Sequence, residues 1–219
     1  PTPSITPATV AICNGGSATL TASGGSTYAW SNGLGSNAQV TVTPTSSTIY
    51  TVTVTDANSC SAITSRLVTV NQNPAAAIAP ATVAICAGNS ATLTASGGTT
   101  YNWSNSLGTN AQVTVSPAST TTYTVTVTDA NSCSATASRL VTVNSNPTAA
   151  IAPATVTICN GASATLTASG GTSYSWNNSA TTAAISVSPT TTTTYTVTVT
   201  NAANCSATAS RLVTVNSLP

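Results

Sequence analysis

Of the 219 residues only five are charged (Arg66, Arg139, Arg211, Asp56 and Asp129), which is 2% of the chain against the roughly 25% of an ordinary soluble domain. Lys, Glu, His, Met and Phe are absent and the net charge is +1, so the chain carries no cationic cluster for nucleic acid or an anionic membrane and almost nothing that titrates near neutral pH. No run of eighteen apolar residues occurs, which argues against a membrane-spanning helix.

Self-similarity replaces the one or two domains that length alone suggests. Cys13, Cys86 and Cys159 are 73 residues apart, as are Trp30, Trp103 and Trp176, while Tyr50, Tyr123 and Tyr195 step by 73 and then 72. A single deletion between Trp176 and Tyr195 accounts for the shorter step. Three domains are therefore expected, at residues 1–73, 74–146 and 147–219. The junctions NQNPAAAIAPATV and NSNPTAAIAPATV resemble what the two termini would make if placed end to end, which reads as a segment of a longer array or one unit of it.

In chain order, repeat 1 begins with a strand expected over Thr9 to Cys13 (TVAIC), entered through a proline. Ser17 to Ala22 follows with Ala18, Leu20 and Ala22 on one face, and Gly24 and Gly25 turn the chain. Tyr28 and Trp30 share the inward face of the next strand, and Ser31 to Asn37 is a Gly and Asn loop. Gln39 to Thr43 supplies Val40 and Val42 to a core, and Pro44 stops it. A Thr/Ser tract then leads to the most repetitive stretch, Tyr50 to Val70 (YTVTVTDANSCSAITSRLVTV), which recurs at Tyr123 to Val143 and Tyr195 to Val215. Apolar and hydroxyl residues alternate on both sides of a short turn, the pattern of a half-buried hairpin. Six or seven short strands per repeat and no helical periodicity predict an all-β chain of three tandem immunoglobulin-like antiparallel sandwiches. The Trp on the third strand and the Tyr opening the penultimate one fit that plan as core aromatics: Trp30, Trp103, Trp176, Tyr50, Tyr123 and Tyr195.

The cysteines fall two per repeat, one on the first strand and one in the final hairpin turn. Repetition makes Cys13 with Cys60, Cys86 with Cys133 and Cys159 with Cys205 the economical pairing, one disulfide in each domain; a bridge from Cys60 to Cys86 across a domain boundary is the competitor. Metal ligation has neither CxxC spacing nor histidine behind it. Disulfides imply an oxidising compartment, hence export to a secreted, extracellular or cell-surface location.

ICNGGSATLTASGGSTYAWSNG followed by VTVTPTSSTIYTVTVTDANSCSAITSRLVTV resembles the immunoglobulin-like and PKD-like repeats of very large secreted surface proteins of Bacteroidota. The resemblance implies a stalk segment of an adhesin, a gliding-motility fibre or a type IX secretion cargo, with neighbouring repeats of the same array as partners. Linkers of about seven residues containing Pro, Asn71 to Ala77 and Asn144 to Ala150, suit a semi-rigid string.

Catalysis has little to work with. A Ser or Thr nucleophile lacks a general base, and Asp56 and Asp129 each stand alone at a turn where repeat 3 has Asn201, which reads as capping of backbone amides rather than as a calcium site. No cofactor and no enzyme are expected. The Tyr and Trp pairs could stack on sugars, and the loops Ser31 to Asn37 and Ser104 to Asn110 could grip a glycan, making an adhesive module the alternative function. Thr51, Thr53 and Thr55, with their counterparts, resemble ice-binding arrays, although sheet twist spoils a lattice match. Arg66, Arg139 and Arg211 fall in phase with inward valines, so each guanidinium is expected at the rim on backbone carbonyls, or reaching Asp56 or Asp129. Thr- and Val-rich edges without Lys leave room for lateral self-assembly into a fibre.

Overall fold

The computed structural model describes residues 1–218, and among them every regular element is a strand. Repeat 1 supplies β1 (Ser4–Thr6), β2 (Val10–Cys13), β3 (Ala18–Ser23), β4 (Thr27–Trp30), β5 (Gln39–Val42), β6 (Thr48–Thr55) and β7 (Ser61–Asn71). The same seven recur as β8 (Ala77–Ala79), β9 (Val83–Cys86), β10 (Ala91–Ser96), β11 (Thr100–Trp103), β12 (Gln112–Val115), β13 (Thr121–Thr128) and β14 (Ser134–Asn144) in repeat 2. Repeat 3 gives β15 (Ala150–Ala152), β16 (Val156–Cys159), β17 (Ala164–Ser169), β18 (Ser173–Trp176), β19 (Ala184–Val187), β20 (Thr193–Thr200) and β21 (Ser206–Asn216). Each set forms a three-stranded sheet, β1-β3-β5 in repeat 1, and a four-stranded one, β2-β7-β6-β4. The three pairs of sheets are three immunoglobulin-like sandwiches in tandem.

Period-two alternation builds each core. In β6, Tyr50, Val52 and Val54 are buried while Thr51, Thr53 and Thr55 lie on the outer face. Opposite them stand Ala18, Leu20 and Ala22 of β3 and Val40 and Val42 of β5, with Leu20 paired to Val40. Repeat 3 repeats the arrangement with Leu166, Ile185, Val197 and Val199.

Each repeat opens on a short strand ahead of the one expected first. β1 precedes the strand expected first and lies antiparallel on β3, with Ile5 in the core opposite Ala22. The chain then passes through Pro7 to the other sheet, where β2 runs parallel to β7, Val10 opposite Val68 and Cys13 opposite Asn71. The remaining pairings in repeat 1 are antiparallel.

That one parallel pairing overturns the expected disulfides. Cys13 sits at the Asn71 end of β7, whereas Cys60 directly precedes Ser61 at its other end. The eleven residues of β7, about 36 Å at ~3.3 Å per residue, separate the two, and a disulfide needs Cα atoms about 4.4–6.8 Å apart. Instead Cys13 bonds Cys133 and Cys86 bonds Cys205, both with Cα–Cα distances of 5.5 Å. There is no disulfide within a repeat: Cys60 and Cys159 are free and exposed, so neither the pairing of Cys159 with Cys205 nor the Cys60 to Cys86 bridge is present.

The chain divides into two compact units that cut across the repeats. Pro1–Ala79, Thr94–Val113 and Thr124–Ser138 make one; Pro80–Leu93, Thr114–Tyr123 and the chain from Arg139 onward make the other. The first holds Cys13–Cys133 and the second Cys86–Cys205.

Candidate functional site

The places where chemistry joins one repeat to the next are the two bridges, and each is assembled from two local devices. The first device is a strand end. Cys13, Cys86 and Cys159 close β2, β9 and β16 opposite Asn71, Asn144 and Asn216 in the same parallel register. The next amide continues the ladder, Asn14 N–H donating to Asn71 O, Ala87 N–H to Asn144 O and Asn160 N–H to Asn216 O, at 2.8, 2.8 and 3.0 Å.

The second device is the hairpin turn that carries Cys60, Cys133 or Cys205. In repeat 1, Asp56 N–H donates to Cys60 O at 2.9 Å, while Asp56 Oδ1 accepts from Asn58 N–H at 2.9 Å and from Cys60 N–H at 3.0 Å. Asp129 holds Asn131 and Cys133 in the same way, and Asn201 holds Ala203 and Cys205 through its Oδ1. One oxygen collecting two amides is all the turn asks, which is why Asn replaces Asp without a change of geometry. The residue before each cysteine, Ser59, Ser132 or Asn204, has φ of 61°, 63° or 59°. The Cys60 and Asn58 amides hold the Asp56 carboxyl below its ordinary value of 3.8.

At the bridges the turn cysteines are sealed from solvent, Cys133 and Cys205 both at 0% exposure. Asparagine side chains near the linkers add further ties. Asn73 Nδ2 donates to Asn14 O at 3.2 Å and Asn146 Nδ2 to Ala87 O at 3.1 Å, while Asn201 Nδ2 donates to Ser145 O at 2.9 Å. Glycine is required where the linker backbone presses on the end of β10 or β17. A Cβ on Gly97 would stand 2.1 Å from Ala75 O and one on Gly170 2.0 Å from Thr148 O, with φ near +105° at both.

The other residues singled out in the sequence lie elsewhere. Trp30, Trp103 and Trp176 are buried, each Nε1–H donating to a carbonyl of the loop that follows, Asn37, Asn110 and Thr182, at 2.9 to 3.0 Å. Tyr50 and Tyr123 are buried and Tyr195 partly so. Tyr28, Tyr101 and Tyr174 reach Gly25, Gly98 and Gly171 carbonyls through their hydroxyls. In the outer threonine rows, Thr124 and Thr196 bond Ser138 and Ser210 across the hairpin at 2.8 Å, and Thr55 bonds Ser61 at 2.9 Å. Arg66 is half-buried; its guanidinium leaves the four-stranded sheet and donates to Ile5 O of β1 at 2.8 Å and to Ala8 O, rather than to an aspartate. Arg211 does the same with Ile151 and Ala154. Beside Arg66, Arg139 and Arg211 lie shallow grooves of about 320, 310 and 260 Å³ along β2, β9 and β16. Among the described residues no group of three or more His, Cys, Asp or Glu side chains comes together.

No protein family matches the chain, and no curated protein does. Among solved structures it is similar to a fragment of titin with three immunoglobulin domains, at TM-score 0.44 and 15% identity over 98% of each chain. It is also similar to immunoglobulin domains 1–5 of Sidekick-1, at TM-score 0.35 and 17% identity over 99% of this chain and 59% of that one. The eight N-terminal immunoglobulin domains of the Down syndrome cell adhesion molecule give TM-score 0.36 and 13% identity over 95% of this chain and 35% of that one.

Proposed function

We propose that the chain is a non-catalytic architectural segment of an extracellular bacterial stalk, fibre or filament, with modules at 1–73, 74–146 and 147–219. The observation that carries this reading is that both disulfides connect successive repeats, at sequence separations of 120 and 119, and none closes a single repeat. A bridge within a domain protects that domain. A bridge between domains secures continuity of the array, which matters to a part whose work is to stay connected. In the chain-entropy account a loop of this size stabilises by about 5 kcal/mol.

Other features support the same reading. A surface of Thr, Ser and Asn with 2% charge changes little with pH or salt, as suits a part exposed to an uncontrolled medium. Persistent disulfides suit an oxidising compartment outside the cytosol. The resemblance of the repeats to modules of large secreted Bacteroidota proteins supports the placement on a cell surface.

The test is a non-reducing peptide map of the exported chain, combined with limited proteolysis in the linkers at 71–77 and 144–150. Cys13–Cys133 and Cys86–Cys205 peptides are expected, and a chain cut once in either linker is expected to migrate as one covalent species until reduced. Fragments that separate without reductant, or bridges within repeats, would refute the reading.

A further inference from the structure

Bridging between repeats leaves each half of a bridge over, once. Cys60 occupies in repeat 1 the position that Cys133 and Cys205 occupy in repeats 2 and 3, while Cys159 occupies the position of Cys13 and Cys86. Both remaining cysteines are thiols, and both are exposed.

We propose that Cys159 of one chain forms a disulfide with Cys60 of a second copy, so that copies join head to tail through a third bridge of the kind already present twice. This deepens the architectural reading and rests on it. Each half of the new junction is already in its bridged geometry. Cys159 stands opposite Asn216 as Cys13 stands opposite Asn71, and Asn160 N–H continues the ladder. Cys60 sits in a turn with the same side-chain-capped amides, on Asp56 as on Asp129 and Asn201, and the same positive φ at the preceding residue as the turns whose cysteines are bonded. Little backbone has to be ordered on joining, which keeps the cost of association low. What differs is accessibility: the turn cysteine is exposed at Cys60 and sealed at Cys133 and Cys205.

The bond forms by thiol–disulfide exchange with a disulfide oxidant, either a thiol oxidoreductase or a small-molecule disulfide. The Cys159 thiolate attacks one oxidant sulfur, giving a mixed disulfide and one oxidant thiolate. The Cys60 thiolate of the second copy then attacks the Cys159 sulfur and expels the other. Two protein thiols are oxidised, one oxidant disulfide is reduced to two thiols, and the two protein protons end on them.

The experiment uses the full chain, its internal bridges verified by peptide mapping, incubated in a glutathione redox buffer and run on non-reducing gels. A ladder in multiples of 21.4 kDa is expected, lost on reduction, with a Cys159–Cys60 peptide in every band above the monomer. Cys60→Ser and Cys159→Ser are each expected to stay monomeric and, mixed, to give dimers only; alkylating the native thiols should abolish the ladder with no change of sequence. Symmetric Cys60–Cys60 or Cys159–Cys159 dimers, a Cys60–Cys159 bridge within one monomer, or persistent free thiols, with the internal bridges intact, would overturn this inference and leave the architectural reading standing. Missing internal bridges would instead overturn that reading.

Discussion

At the scale of single residues, Asp56 shows how little chemistry the chain keeps for titration. Its carboxyl is held below the ordinary value, chiefly by the Cys60 amide and then by that of Asn58. A lowered folded-state pKa means that the carboxylate's contribution is complete above the unfolded value of about 4 and is lost as pH falls through the folded one. Stability followed by thermal unfolding is therefore expected to be flat from about pH 5 to 7, and to weaken only in acid. Asp56→Asn should blunt this turn's share of the acid loss, because Asn201 already caps the equivalent turn. An unchanged acid profile in the variant would show that the turn plays no part in it.

Most of this residue chemistry was legible in the sequence. The Asp-to-Asn replacement pointed to amide capping, and the in-phase arginine pointed to backbone carbonyls. The disulfide partners were not legible, since a strict repeat places identical cysteines at identical intervals and the spacing of Cys13 to Cys60 matches that of Cys86 to Cys133. What separates the alternatives is where β2 lies along β7: Cys13 falls beside Asn71 at one end and Cys60 precedes Ser61 at the other, a placement that the spacing of the cysteines does not encode. The missed β1 has a similar cause: three residues, Ser4–Thr6, are too few for alternation to register.

Among the elements, β1 and β2 hang on the sandwich by short ladders, and Arg66 compensates by tying β7 to the carbonyls of Ile5 and Ala8. Two carbonyls served by two separate nitrogens suit a forked guanidinium better than the single nitrogen of an ammonium. Arg66→Met is expected to lower hydrogen-exchange protection in the β1–β3 ladder by roughly 2 kcal/mol, the scale of a charged hydrogen bond, and Arg66→Lys should recover only part of it. Equal protection in all three proteins would remove the guanidinium from the account of how the strand is held.

For the whole molecule, the two bridges overlap in sequence, since Cys86 lies inside the span from Cys13 to Cys133. A pull on the two ends would enter at Pro1, cross to repeat 2 at Cys13–Cys133, run backwards along the chain from Cys133 to Cys86, and cross again to Cys205 before leaving. The loaded path holds about a third of the 219 residues. Drawn out fully at ~3.4 Å per residue, the oxidised chain should stop near 250 Å where the reduced chain reaches about 750 Å. Single-molecule stretching with and without reductant reads that ratio directly, and equal lengths would mean the bridges carry no load. Tension thus bypasses most of repeats 1 and 3 and reverses its direction in repeat 2, so the array behaves as a tether with a built-in limit of travel.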